Sequence, residues 1–266
     1  MKKIIAALMV AVLTLTMFAA CSKNTEAPAE TTTQYAGPRQ PDFPNKKETK
    51  EFKNESGKVV YQVEYSVPVL SGENYSEAAA AIFNNYIDQT LLAPVFKFAE
   101  DNVKNVRENE TEPRIIKISY EIKYLSDNIL SVVFSTSYSS QNSILNAKTF
   151  NLNEGTVINA EEFFGSDREA TKKAVLDYFL DDATRLITKT EDMTAEQIET
   201  LAAEKLAADY DPANIYITDS YIAFVCNKSK FADGAGAGAG IHEFVLDWNT
   251  GYVLGALSNP EDLFAE

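Results

Sequence analysis

From Val59 the chain alternates. Tyr61, Val63, Tyr65, Val67 and Val69 fall on one side, and Gln62, Glu64, Ser66 and Pro68 on the other. A period of two marks a strand with one buried face, and Pro68, which has no N–H for a ladder, belongs at a strand end or a sheet edge. The period then changes. Ile82, Phe83, Tyr86, Ile87, Leu91, Val95 and Phe98 recur at helical spacing. Asn74 or Ser76 is placed to cap this helix, and Pro94 predicts a kink or a split in it. The charged stretch 101–112 is expected to be exposed. Two long alternations follow: Ile116, Ile118, Tyr120, Ile122 and Tyr124, then Leu130, Val132, Phe134, Thr136 and Tyr138 with polar or small residues between them. Ser126-Asp127-Asn128 supplies the turn joining them. Residues 148–152 predict a short strand, closed by Asn153-Glu154-Gly155 with Gly155 suited to positive φ. The block predicts an antiparallel meander covered on one face by a helix.

The second block has a different rhythm. Ser166-Asp167-Arg168-Glu169 has the form of a capping box, and Ala174, Val175, Tyr178, Phe179, Ala183, Leu186 and Ile187 line the helix after it. Thr194 and Gln197 stand at the same spacing before a second helix ending near Asp209. Short strands are expected at 214–218, 221–227 and 241–247, with a hairpin turn at Asn249-Thr250-Gly251. The class is α+β: antiparallel sheets with helices packed on one face, in two sequential sub-domains, 51–155 and 156–266. No internal repeat is evident.

The start of the chain changes the picture. Lys2 and Lys3 precede an uncharged, mostly apolar run from Ile4 to Ala20, and the small residues Ala19 and Ala20 stand directly before Cys21. A basic start, an apolar middle and a small-residue end read as a secretory signal over residues 1–20. Phe18-Ala19-Ala20-Cys21 resembles the bacterial lipobox, which implies that Cys21 is the lipidated first residue of the mature chain. Residues 21–50, rich in Thr, Pro, Glu, Ala and Lys, read as a disordered tether. The address implied is the extracytoplasmic side of a cell membrane, held there by lipid.

Charge narrows the partners. The formal net charge is −15, and loss of Lys2 and Lys3 with the leader makes the mature chain two units more negative. Such a chain repels nucleic acid and anionic headgroups, which excludes nucleic-acid binding, and it favours cationic partners at long range. With Cys21 lipidated, Cys226 remains alone, so stability has to come from a core and not from an internal disulfide.

Chemistry is hard to place. His242 is the only histidine; no Gly-x-Ser-x-Gly elbow accompanies it, and beside a strand it reads as a surface residue. One histidine and one remaining cysteine do not make a zinc set. Cys226, ending the run Ile222-Ala223-Phe224-Val225, reads as a buried core thiol. The Gly–Ala alternation from Gly234 to Gly240 lacks the Lys-Ser/Thr of a phosphate loop and precedes a strand, so it reads as a mobile connection. Glu161-Glu162 and Asp181-Asp182 are sequence neighbours, which do not share a helix face and so do not converge on one bond. No cofactor is implied, and the chain is read as a non-enzyme.

Two stretches carry a resemblance. Phe150-Asn151-Leu152-Asn153-Glu154-Gly155 with residues 158–164, and Asn214-Ile215-Tyr216-Ile217-Thr218-Asp219 with residues 221–227 and the glycine loop, are similar to the extracellular domain family of the anti-sigma factor RsiV. That family also occurs beside the catalytic domain of the deacetylase PdaC, and the block 59–152 resembles its usual preceding companion. The resemblance implies an envelope protein recognising a lysozyme-like cationic protein or a peptidoglycan fragment. The sequence reads without the deacetylase module, the transmembrane helix and the sigma-binding part, so the resemblance does not imply deacetylase or anti-sigma activity. Ligand contacts are expected over 228–242, with Phe231, Gly234, Gly236, Gly238, Gly240 and His242 as the binding residues. The rival classes are a cell-wall-active enzyme without a recognised motif and a structural envelope lipoprotein.

Overall fold

The first strand begins inside the stretch expected to be a tether. The computed structural model describes residues 43–106, 110–139, 142–164, 167–189, 192–227, 231 and 241–253. In it β1 (Asn45–Lys53) pairs antiparallel with β2 (Val59–Pro68), and Phe43 and Phe52 are buried. The sequence Asn-Lys-Lys-Glu-Thr-Lys-Glu-Phe-Lys has no apolar alternation because β1 is the edge of the sheet, where charged side chains face water and deter further pairing.

Pro68 closes β2, as its missing N–H requires. Ser76 then caps α1 (Glu77–Tyr86), accepting a bond from the Ala79 N–H at 3.1 Å. The stretch is split just before Pro94, as expected. Six residues of wider π-type turn, Ile87–Leu92, lead into α2 (Ala93–Asn102), where Pro94 sits in the first turn. The i→i+5 register sits just where proline cannot donate, and the first turn needs no N–H from it. Of the expected stripe, Phe83, Ile87, Leu91 and Val95 are buried, while Ile82 and Phe98 are exposed.

The helical segment is a crossover, so β3 (Arg114–Leu125) lies parallel to β2, Tyr61 opposite Arg114 and Tyr65 opposite Ile118. A purely antiparallel meander was expected; a strand that returns by a helix over one face comes back in the same direction. From β3 the chain does meander: β4 (Ile129–Ser139), β5 (Asn142–Asn151) and β6 (Thr156–Ile158) complete a six-stranded sheet in order β1-β2-β3-β4-β5-β6. The β3–β4 turn forms where the polar triplet stands, with the Ser126 N–H donating to the Ile129 carbonyl at 2.9 Å. Gly155 has φ +74, and a Cβ there would lie 2.1 Å from the Ala79 carbonyl oxygen of α1. This glycine therefore lets the hairpin press against the helix. Phe83 of α1 meets Phe150 of β5 at 4.7 Å between ring centroids.

The second block holds α3 (Arg168–Leu186), α4 (Ala195–Asp209) and a three-stranded antiparallel sheet of β7 (Ile215–Ile217), β8 (Tyr221–Asn227) and β9 (Ile241–Asp247). Asp167, not Ser166, caps α3, accepting from the Ala170 N–H at 3.0 Å; Ser166 is outside the described residues. Thr194 and Gln197 form the reciprocal cap expected for α4. The hairpin turn expected at residues 249–251 is a short helix instead, α5 (Trp248–Val253). Asp247 starts it, its carboxylate accepting from the Thr250 N–H at 2.8 Å, which competes with a hairpin.

The molecule is α+β, as the pattern predicts. The two blocks are joined by a buried seam. Tyr216, Ala223 and Val225 of the small sheet pack on Val133 and Ala147 of the large one. The Ile217 N–H donates to Ser131 Oγ at 2.9 Å, Ser131 and Thr149 share a hydroxyl bond at 2.9 Å, and the Ala147 N–H donates to Asn214 Oδ1 at 2.9 Å.

Candidate functional site

The features that could bear chemistry lie between the small sheet and the helix pair α3–α4. Antiparallel partners share a face. Phe224 stands opposite Phe244, and Cys226 opposite His242. That face of β8 and β9 meets Phe179 of α3 and Leu206 of α4 in one core. α3 brings Phe179 within 5.5 Å of the Phe224 ring and 5.2 Å of the Phe244 ring. At the end of α4, Tyr210 stacks on Phe224 at 5.9 Å.

These elements enclose a small cavity, about 20 Å³ of free space within a larger void of about 320 Å³ that opens to solvent. Its described lining includes Phe179, Asp209, Tyr210, Asp211, Cys226 and Phe231. The Tyr210 hydroxyl is buried and has no hydrogen-bond partner among the described residues. Burial raises its pKa well above the ordinary tyrosine value, and the carboxylates of Glu161, Asp211 and Glu169 push the same way by opposing a second negative charge. On the ring of Tyr210 stands the Lys172 ammonium, 4.8 Å from the centroid and 3.8 Å from Glu161.

The residues expected to bind ligand are only partly brought here. Phe231 is fully buried, its ring 5.8 Å from that of Phe244. It is a core residue plugging the cavity wall and not an exposed anchor, because a lone aromatic ring beside a ring-lined core gains more by burial than in water. His242 is not a lone surface histidine: its Nε2 lies 2.6 Å from Asp182 Oδ2 on α3, its side chain is 19% exposed, and its ring meets Phe244 edge-on at 4.6 Å. Gly234, Gly236, Gly238, Gly240 and Cys21 lie outside the described residues. Cys226 is buried, as expected of a core thiol.

Sequence reasoning passed over Tyr210 and Asp209, and weighed Asp182 only as half of an adjacent carboxylate pair. The run Asp209-Tyr210-Asp211 at a helix end was the available signal: an aromatic between two acids just after the last helical turn. Nothing local says that its ring turns inward onto β8.

A second surface feature runs along the α3–α4 seam, where two grooves of about 290 and 490 Å³ share Asp177 and Leu180. Among the described residues no helix is long and apolar enough to cross a membrane.

No family model matches the chain, and no curated protein matches it. Solved structures do. A member of the DUF3298 family from Bacteroides fragilis superposes with a TM-score of 0.42 at 12% identity, covering 84% of this chain and 95% of that one. A DUF3298 family protein from Pseudomonas aeruginosa gives 0.44 at 10% identity, covering 85% and 98%. The likeness is one of overall chain path.

Proposed function

We propose that this is a lipid-anchored extracytoplasmic binding protein of the bacterial envelope, of the RsiV type, whose partner is a lysozyme-like cationic protein or a peptidoglycan fragment. The observation that carries the reading is the start of the chain: a basic, apolar, small-residue leader running directly into Cys21. Lipid attachment to this thiol would anchor a domain whose strong negative charge draws cationic partners. Binding rather than turnover is supported by the sparse catalytic inventory of the sequence, with one histidine and no nucleophile elbow.

The test has two parts. Cys21→Ser should release the protein from the detergent phase and leave the leader uncleaved by the globomycin-sensitive pathway. A variant that still fractionates with membranes in processed form sinks the anchor. Immobilised full-length protein should then retain lysozyme or muropeptides at low salt and release them as salt rises. Equal retention by an unrelated protein of the same charge sinks the specific partner.

One observation favours thiol chemistry as a second reading. A histidine oriented by a carboxylate, Asp182–His242, faces a cysteine across the β8–β9 ladder, which is the arrangement that activates a nucleophile. Against it, Cys226 is only 8% exposed, and buried structural thiols are inert. The binding reading expects iodoacetamide to label Cys226 only on unfolding. Rapid native labelling that His242→Ala abolishes would favour the thiol reading.

A further inference from the structure

The cavity beside Tyr210 has a composition that packing alone does not explain. A buried hydroxyl with no partner is costly, and native sites that keep one place a water or a ligand against it. Phenylalanine at this position would remove that cost and keep the ring contact with Phe224.

We infer that this cavity is a binding site for a primary ammonium group, held by the Tyr210 hydroxyl oxygen, the Asp209 carboxylate and the faces of the surrounding rings. Size, charge and wall chemistry agree. The free space of about 20 Å³ fits one water-sized group, which admits an –NH₃⁺ head and excludes a guanidinium or a quaternary ammonium. The alkyl stem would leave through the wider void towards solvent. Water alone wants two to four polar partners, whereas these walls are mostly apolar, with five aromatic rings among eleven described lining residues, and aromatic faces attract cations. A hard metal ion would need about six oxygen ligands, which a ring-lined wall does not offer. The field is negative: Asp209 and Asp211 line the cavity, and Glu161 and Glu169 lie close enough to oppose ionisation of Tyr210. The chain already uses one face of this ring for a cation, since the Lys172 ammonium stands over it. The site does not depend on the anchor or on the partner proposed above: failed lysozyme retention would leave it intact, and failed ammonium binding would leave that proposal intact.

The test is an NMR titration of the full-length chain with ¹³C-labelled aromatic rings. The probes are ammonium chloride and methylammonium chloride, each against sodium chloride at equal ionic strength, with tetramethylammonium chloride as the oversized control. Saturable shifts of the Tyr210 and Phe244 rings are expected with the first two and not with sodium or tetramethylammonium. Tyr210→Phe, which keeps the ring and removes the orphaned oxygen, should stay folded and weaken methylammonium binding by about tenfold, the loss of one charge-assisted hydrogen bond. Asp209→Asn should weaken it further. Shifts that grow linearly and match those with sodium would show that the cavity holds water only. Unchanged affinity in Tyr210→Phe would equally overturn the assignment, and that variant decides the matter even if Asp209→Asn unfolds.

Discussion

The outer strands of the large sheet and the first two strands of the small sheet obey different sequence rules, and the difference is one of coverage. In β2 buried Tyr61, Val63, Tyr65 and Val67 alternate with half-buried Gln62, Glu64 and Ser66, because helices cover one face and the other is wetter. In β7 all three residues are buried, and in β8 every residue from Ile222 to Cys226 is buried. β7 and the middle of β8 have the large sheet on one side and α3 and α4 on the other, so these positions are covered on both faces, whereas β9 at the sheet's edge alternates again, with Glu243 and Val245 exposed. β4 changes between these two regimes along its own length. From Ile129 to Phe134 both faces are buried where the small sheet lies on it, and the residues that make this contact are Ser131 and Val133. Period two therefore reports one covered face, and a continuous apolar run reports two.

The contrast can be broken at its joints. The largest effect is expected from Gly155→Ala. Positive φ alone costs a β-carbon about 1–3 kcal/mol, and this one would also strike the backbone of Ala79. Loss of a cooperative thermal transition is expected, whereas a stable G155A protein would show that α1 and the hairpin are not in close contact. Next come the two cores. Phe83→Ala in the first and Phe244→Ala in the second should each cost about 3–5 kcal/mol. Because the seam is buried and hydrogen-bonded, both variants should lower one shared transition. Two separately shifted transitions in calorimetry would mean that the blocks unfold independently.

A smaller loss tests the seam itself. Ser131→Ala removes the acceptor of the Ile217 N–H, leaving a buried donor unpaired at about 1–3 kcal/mol. Denaturant titration should show the loss, and amide exchange at Ile217 should quicken; an unaltered exchange rate would place another acceptor there. Asp167→Ala should cost about 1 kcal/mol as a lost cap while Ser166→Ala costs little, and the reverse order of melting temperatures would restore Ser166 as the cap. Raised pH has no effect near neutrality and separates the two regions last. Burial raises Tyr86 of the first block to about 12, with Asp211 adding to it, and Tyr65 also reaches about 12 through burial and its bond to Glu48. Tyr210 and Tyr216 are raised further still. A group whose folded pKa is raised stabilises fully below the unfolded value near 10 and loses that contribution as pH climbs through the folded value. Stability should hold to about pH 10 and fall towards pH 12. Tyrosinate absorbance of the native protein should then rise from Tyr65 and Tyr86 before Tyr210 and Tyr216, and early ionisation of Tyr216 would contradict its burial against Glu243.

Much of this architecture was legible in the chain. The alternation of β2, β3 and β4, the Thr194–Gln197 cap, the strand limits 221–227 and 241–247, and the positive φ of Gly155 all follow from local chemistry acting over a few residues. β1 was missed because an edge strand of alternating charge is pleated by its neighbour and not by its own apolar residues. The candidate site was legible only as an address on the chain: Phe231 is a wall of the cavity, and His242, tied to Asp182, packs behind it on Phe244.

By itself the sequence determined the α+β class, the order of most elements and which face of each outer strand turns inward, since these depend on periodicity and capping within reach of neighbouring residues. Tertiary structure alone decided the parallel return of β3, the seam through Ser131 and Thr149, and the meeting of Tyr210 with Phe224. Each of those joins residues far apart in the chain, where the deciding term is burial of one surface by another and no local pattern records the partner.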